Sequence, residues 1–326
     1  MARILRWGLL STARINRALI TPLRASKRNQ LYGVASRDPE RAETYAAEHG
    51  IPHAYGSYEE MLADSQIDVV YNPLPNSLHA EWTIRSIEAG KHVLCEKPFA
   101  LTLDEIDAVI RAACERGVVV EEGFMYRHHP QTLFIQDKVQ SGALGPIRFL
   151  RGSFSFFLNN PADVRLNPEL GGGSIWDLGC YPISYFRTVL KAEPEKVFGW
   201  MLPTARGVDT LFCGQMRFHG GALAQFDSSF SLPQRAQIEI CGEYASLFVP
   251  APFKPGLEAY VILRREGSEE QIPLHGRELY LGEVEDMADA ILEGKLPRIN
   301  LEDSRNNLKV ILALLESART GGPTKV

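Results

Sequence analysis

The stretch His92-Val93-Leu94-Cys95-Glu96-Lys97-Pro98-Phe99-Ala100-Leu101-Thr102-Leu103-Asp104-Glu105 decides the fold. His92–Cys95 reads as a short buried strand, and Pro98 closes the run. Thr102 and Glu105 then stand at the spacing of a capping box, in which hydroxyl and carboxylate satisfy each other's orphan amides at a helix start. The helix so capped runs towards Gly117, a C-terminal stop, and Val118–Glu121 resumes as a strand. A strand, a covering helix and a second strand in this order require parallel pairing through a right-handed crossover.

The same rhythm extends towards the N-terminus. Ile4–Leu10 is the first strand, Ala13–Leu23 a helical pattern and Leu31–Ala35 the second strand. Asp38 caps a helix that Pro39 enters and Gly50 ends. Asp68–Asn72 is the fourth strand, Leu78–Ala89 a helix stopped by Gly90, His92–Cys95 the fifth strand and Val118–Glu121 the sixth. Such repetition predicts an α/β domain over residues 1–122, a doubly wound parallel sheet whose ligand lies beyond the carboxyl ends of its strands.

After Gly123 the pattern changes. A helix over Gln131–Gln140 precedes strand-like runs at Ile147–Phe157, Val197–Leu202, Thr210–Phe218, Ala222–Ser231, Gln237–Cys241, Ser246–Val249 and Ala259–Arg264. Short turns such as His219-Gly220-Gly221 join several of them, which predicts a large, mainly antiparallel open sheet in an α+β domain over 123–326. A helix at Ser174–Leu190 interrupts it. Helices at Gly282–Leu292 and Leu301–Ala318 close the chain, the last able to pack back on the first domain.

At 326 residues the chain is long enough for two cores. Its net charge of -5 gives no support to nucleic-acid binding. No apolar run reaches the ~20 residues of a bilayer span, and the start lacks the architecture of a secretory signal, so the expected setting is the cytoplasm. The five cysteines are scattered without a CxxC pair, and no histidine pair has ligand spacing with a carboxylate; the expectation is no disulfide framework and no metal.

The turn after the first strand reads Gly8-Leu9-Leu10-Ser11-Thr12-Ala13. Against the dinucleotide fingerprint G-x-G-x-x-G/A, Gly8 and Ala13 fit the outer positions, while Leu10 replaces the glycine that lets backbone approach a pyrophosphate. Ser11 and Thr12 can still donate to phosphate at a helix N-terminus. Ser36 and Arg37 end the second strand, where an NAD enzyme carries the carboxylate that binds the ribose 2′-hydroxyl. A serine and a guanidinium suit a 2′-phosphate, so NADP is favoured over NAD, with Asp38 assigned to the helix cap; the alternative for Arg37 is a solvated loop charge.

Glu96-Lys97-Pro98 at the fifth strand's end resembles the EKP signature of the Gfo/Idh/MocA oxidoreductase family. The segment Gly171-Gly172-Gly173-Ser174-Ile175-Trp176-Asp177-Leu178-Gly179-Cys180-Tyr181 resembles that family's GGG…D-x-G-x-H segment, with Tyr181 where many members have histidine. That departure resembles the branch of D-xylose dehydrogenases, dimeric dihydrodiol dehydrogenases and glucose–fructose oxidoreductase. Leu74-Pro75-Asn76-Ser77-Leu78-His79 resembles the family's loop beneath the cofactor, and Glu122-Gly123-Phe124-Met125-Tyr126-Arg127-His128-His129-Pro130 its EAFMWR-x-HP segment.

The resemblance implies a two-domain dehydrogenase or reductase acting on a sugar or a related cyclic alcohol or ketone. It implies that Lys97 polarises the substrate oxygen, and that Leu74, Pro75, Asn76, His79, Met125 and Arg127 contact cofactor. Arg14, Ile15, Glu96, Lys97, Pro98 and Trp176 complete the expected cofactor set, and Arg127 also faces substrate. Asp177 and Tyr181 are four apart and share one face of a helix. A phenol, with a reference pKa of about 10, serves as a base only when a neighbouring cation lowers it, which pairs Tyr181 with Lys97. Pro182 is expected to kink or restart that helix. Asp163 and Arg165, in a polar stretch before the glycine run, either bind substrate hydroxyls or form a structural salt bridge. In the family the antiparallel sheet packs face to face between subunits, which implies a homodimer or homotetramer. Two other functions suit the same fold: a nucleotide-retaining redox and elimination enzyme on glycosides, and a non-catalytic NADP sensor.

Overall fold

The structure is a computed structural model that describes residues 3–326; Met1 and Ala2, counted above with the first domain, lie outside the described residues. The chain divides into two compact units. One is the chain up to Phe124 together with Tyr280–Arg305; the other is Met125–Leu279 together with Asn306–Val326.

The first unit alternates β1 (Leu5–Leu10), α1 (Asn16–Ala25), β2 (Asn29–Ala35), α2 (Pro39–His49), β3 (His53–Tyr55), α3 (Tyr58–Ala63), β4 (Val69–Asn72), α4 (His79–Glu88), β5 (His92–Glu96), α5 (Leu103–Arg116) and β6 (Val120–Gly123). The six strands pair in parallel in the order β3-β2-β1-β4-β5-β6. Central strands of such a sheet are covered on both faces, and β1 and β4 are accordingly almost wholly buried. The caps lie where the sequence puts them. The Asp38 carboxylate accepts from the Arg41 amide at 3.3 Å, Gly50 closes α2 at φ +56°, and Thr102 and Glu105 form the reciprocal box. The sequence reading assigned no residues to β3 or α3. Two of the three β3 residues are exposed, so no apolar run marks it.

The second unit holds α6 (Pro130–Gln140), β7 (Ile147–Ser155), α7 (Cys180–Leu190), β8 (Pro194–Pro203), β9 (Asp209–Phe218), β10 (Leu223–Ser229), β11 (Arg235–Gly242), β12 (Ser246–Val249), β13 (Glu258–Arg265) and β14 (Ser268–His275). The chain then returns to the first unit as α8 (Leu281–Glu293), enters α9 (Leu301–Thr320), and ends in the second unit with β15 (Thr324–Lys325). The nine-stranded sheet has the order β14-β13-β12-β11-β7-β10-β9-β8-β15, and only β7 and β10 pair in parallel. The strand β14, also unread in the sequence, is an edge strand whose exposed Glu269 and Glu270, with Pro273, give no apolar alternation and discourage pairing with other chains. On one face of the sheet α7 packs so closely that a Cβ on Gly152 would meet Pro182 and Phe186. The other face is open, with Trp200 66%, Leu202 59% and Leu223 50% exposed.

In the first unit α8 is fastened to the start of β2. Arg28 Nε donates to Glu285 Oε2 at 2.9 Å, Arg28 NH1 to Asp289 Oδ1 at 2.6 Å, and Asn29 Nδ2 to the Val284 carbonyl at 3.4 Å.

Candidate active site

The left-handed turn that a dinucleotide fingerprint requires lies three residues later than the sequence suggested. Gly8 lies inside β1, where a Cβ would come within 2.7 Å of Met61 Sδ, so its role is packing. Leu10 is the last residue of the strand and is fully buried in a cluster with Ala35, Tyr58 and Val70. It does not stand in the phosphate turn. Ser11 does: its φ of +74° is the left-handed conformation that a fingerprint glycine supplies. Asn16 Nδ2 donates back to the Ser11 carbonyl at 2.8 Å, and α1 starts at Asn16 rather than Ala13. The 11, 13, 16 spacing reproduces G-x-G-x-x-G, with Ser11 making the turn, Ala13 allowing approach and buried Asn16 at the close-packed third position. No side chain caps α1 and no acidic residue lies in its first turn, which suits an anion. Ser11→Gly is expected to stabilise the protein by about 1 kcal/mol, because a non-glycine residue at positive φ costs roughly 1–3 kcal/mol. A denaturant titration showing no gain would contradict this.

At the end of β2, Ser36 is buried, and its Oγ accepts from the Asp38 amide at 3.2 Å. With the Asp38 carboxylate engaged at the α2 cap, Arg37 is exposed at the strand's carboxyl end. Burial raises the pKa of the Tyr58 phenol against the opposing pull of the Arg37 guanidinium hydrogen-bonded to it.

The Glu96-Lys97-Pro98 turn leaves β5 at its carboxyl end, half-buried at Lys97, with a cis Lys97–Pro98 bond. Tyr71, fully buried on β4, donates its hydroxyl to Glu96 Oε1 at 2.7 Å. The Phe99 amide donates to Glu122 Oε1 at 2.9 Å. His79, expected at the cofactor, is instead buried, with Nδ1 2.8 Å from the Pro98 carbonyl and Nε2 2.7 Å from the Leu74 carbonyl. A neutral ring has one N–H and donates to one of the two. The imidazolium would donate to both, but burial penalises its charge and lowers the pKa to about 4. His79 is therefore a brace between two loops. Leu74 is buried, while Pro75 and Asn76 lead through a short 3-10 turn into α4 and remain partly accessible.

In the second unit, Met125 and Arg127 lie in a buried 3-10 turn, Met125–His128. Tyr181 directs its hydroxyl at Met125 Sδ, 3.9 Å away, so two residues 56 apart in sequence share one place. The ring packs edge-on to Phe154 at 5.2 Å and beside Phe253 at 5.4 Å. Tyr126 donates to Ser184 Oγ at 2.9 Å, tying the same turn to α7.

The helix read over Ser174–Leu190 opens as a π-helical turn, Ile175–Gly179, and becomes α at Cys180. Pro182 lies two residues past the junction at which the helix changes from π to α. The wide turn carries buried Trp176 and partly exposed Asp177. Arg165 Nε donates to Asp177 Oδ2 at 2.7 Å and Arg165 NH1 to Asp163 Oδ1 at 3.2 Å. Asp177 raises the Arg165 pKa by its charge. Of the two readings of Asp163 and Arg165, the ion pair is therefore present, and it runs to Asp177. Sequence reasoning missed Asp209. Buried at the start of β9, it accepts from Ser174 Oγ at 2.6 Å and from the Ile175 amide at 2.9 Å, fixing the N-terminus of the π turn. Burial raises its pKa and these hydrogen bonds oppose the shift. Its only signal is an acidic residue at the head of an apolar alternating strand.

A parallel sheet with a glycine-like phosphate turn and a lysine at the mouth of β5 defines a nucleotide-dependent oxidoreductase. The family model "Oxidoreductase family, NAD-binding Rossmann fold" matches residues 5–124, and "GFO/IDH/MocA C-terminal domain" matches residues 132–248. The chain belongs to this family of oxidoreductases. A D-xylose 1-dehydrogenase (NADP(+)) of Haloferax volcanii is 37% identical over 324 residues, 98% of this chain and 99% of the relative. Among solved structures, aldose-aldose oxidoreductase from Caulobacter crescentus, in complex with glycerol, superposes with a TM-score of 0.93 at 28% identity, covering 99% of this chain and 100% of that one. The 3-ketoreductase KijD10 from Actinomadura kijaniata, with NADP and TDP-benzene, gives 0.91 at 30% identity, covering 98% of both. No helix among the described residues is long and apolar enough to cross a membrane.

Proposed function

We propose that the protein transfers hydride between NADP and a sugar or related cyclic alcohol or ketone, with Lys97 and Tyr181 as the acid–base pair. The observation that carries this reading is the braced placement of Lys97 at the carboxyl end of β5, where a parallel sheet presents its ligand. The nicotinamide would supply a hydride acceptor or donor; Ser11–Ile15 at the head of α1 and Leu74–Asn76 would hold the nucleotide. In the oxidative direction the substrate C–H bond breaks with its electron pair, which a bound nicotinamide would accept, the hydroxyl proton passes to Tyr181 in its phenolate form, and a carbonyl forms. Lys97 stabilises the negative charge developing on that oxygen. Asp177, oriented by Arg165, accepts from a neighbouring sugar hydroxyl.

The test mixes the protein with NADP+ or NAD+ and a panel of aldoses, ketoses, polyols and cyclic diols, following reduced-nicotinamide absorbance. One sugar class turning over with NADP+ supports the reading; turnover of none in either direction, with intact NADPH binding, sinks it. Arg37 is assigned to the 2′-phosphate. Arg37→Ala is expected to raise the KM for NADP+ about tenfold, equal to ~1.4 kcal/mol, and to leave that for NAD+ unchanged. Equal effects on both cofactors would remove that assignment.

The open face of the large sheet, with Trp200, Leu202 and Leu223 exposed, is assigned to a second copy of the chain. Light scattering is expected to give a dimer or tetramer for the native protein and a monomer for Trp200→Glu with Leu202→Glu. A native monomer at assay concentration excludes it.

A further inference from the structure

We infer that Tyr71 and Glu122, with His79, are positioning residues that set Lys97 by holding the residues on both sides of it: the Glu96 side chain before it and the Pro98–Phe99 main chain after it. The inference rests on the reading of Lys97 given above and goes beyond it, because none of the three needs to touch substrate or cofactor. Three buried side chains from three different elements converge on four consecutive residues. Tyr71, on β4, holds Glu96 from its hydroxyl at 2.7 Å. His79, at the head of α4, lies 2.8 Å from the Pro98 carbonyl. Glu122, on β6, accepts the Phe99 amide at 2.9 Å.

A loop leaving a strand end is ordinarily the least restrained part of a sheet. Here its neighbours are bound on both flanks from within the sheet itself, since β4 and β6 are the strands on either side of β5. Burial makes each contact costly to break. Glu122 is 2% exposed and Tyr71 fully buried, so an unmade bond leaves a polar group without water. The contacts therefore act as fixed struts rather than solvent-exchanging bonds. Hydrogen bonds of this kind hold a reacting group to within about 0.5 Å, and a misplacement of ~1 Å costs roughly 100-fold in rate. His79 adds a cross-tie, because its other nitrogen faces the Leu74 carbonyl in the loop after β4.

Four variants test this: Lys97→Ala, Tyr71→Phe, Glu122→Met and Glu122→Gln. The first readout is independent of turnover. Lysines are reductively methylated with 13C-formaldehyde, and the Lys97 signal is assigned by its loss in Lys97→Ala. In native protein that signal is expected to stand apart from surface lysines, and in Tyr71→Phe and Glu122→Met to move towards them. The second readout is turnover of NADP+ with D-xylose or whichever sugar the panel identifies. The same two variants are expected to lose about 10- to 100-fold in kcat, with the KM for NADP+ within about twofold. Glu122→Gln, which keeps the accepting oxygen, is expected to recover most of the Glu122→Met loss in both readouts. An unmoved Lys97 signal in Tyr71→Phe and Glu122→Met overturns the inference, as does Glu122→Gln failing as badly as Glu122→Met. If the clamp variants behave as natives while Lys97→Ala is inactive, the clamp alone is wrong. If Lys97→Ala keeps full turnover, the catalytic reading of Lys97 fails and the clamp has nothing to position.

Discussion

Tyr181→Phe is expected to lower kcat by about 10²- to 10⁴-fold, the usual contribution of a positioned proton donor or acceptor. The substitution removes one oxygen and leaves the ring, so packing against Phe154 and Phe253 and the approach to Met125 persist. The KM for NADP+ and the melting temperature should change little. If Lys97 and Tyr181 act on one oxygen as proposed, the Lys97→Ala, Tyr181→Phe double variant is expected to lose little more than the worse single one, because groups that act as a unit are strongly non-additive. Steady-state kinetics on all three, with calorimetry, decides it. A Tyr181→Phe enzyme within tenfold of native would transfer the proton role to another group.

Gly172→Ala is the second large effect. A Cβ at Gly172 would lie 2.5 Å from the Arg165 carbonyl and 2.8 Å from that of Asn167, both backbone atoms that have no rotamer to change. The Gly172 amide is bonded to the same Asn167 carbonyl at 2.9 Å, so relief means breaking that turn. Overpacking of this kind costs ~1–3 kcal/mol or more. The displacement also reaches the chemistry, since Arg165 carries Asp177. We expect a lower melting temperature by several degrees and a sugar KM raised at least tenfold, with cofactor KM held. Thermal melts and kinetics indistinguishable from native would remove the glycine run from the site. Gly173 has its own constraint: its φ is +139° and a side chain would strike the Asp209 carboxylate.

What could be read in the sequence follows the range of the interactions involved. Asp38, Gly50, Gly90 and the Thr102–Glu105 box act over four residues or fewer, and all four signals hold in the structure. Lys97 was singled out because Glu96-Lys97-Pro98 is a contiguous motif at a strand end. The turn after β1 was read three residues early because Gly8 resembles a fingerprint glycine, whereas burial of Leu9 and Leu10 extends the strand past it and leaves a serine in the left-handed position. His79 was assigned to cofactor from its loop; its partners are carbonyls 5 and 19 residues away. Asp209 serves Ser174 from 35 residues off, and Tyr71 serves Glu96 from 25. Such pairings have no periodicity to betray them. Edge strand β14 failed for the opposite reason: it buries too little to need an apolar pattern.

The chain's return to the first unit through α8 has a consequence for the order of synthesis. Arg28 and Asn29 find Glu285, Asp289 and Val284 more than 250 residues downstream. When Phe124 leaves the ribosome, the sheet of the nucleotide unit is fully translated but its α8 partner is about 160 residues from being made. At 5–20 residues per second that interval is roughly 10–30 seconds. During it the surface that α8 will cover stays open, and the second unit has to be made before the first can close. A fragment ending at Phe124 would keep that exposed surface permanently, so neither unit can be isolated whole by a single cut in the chain.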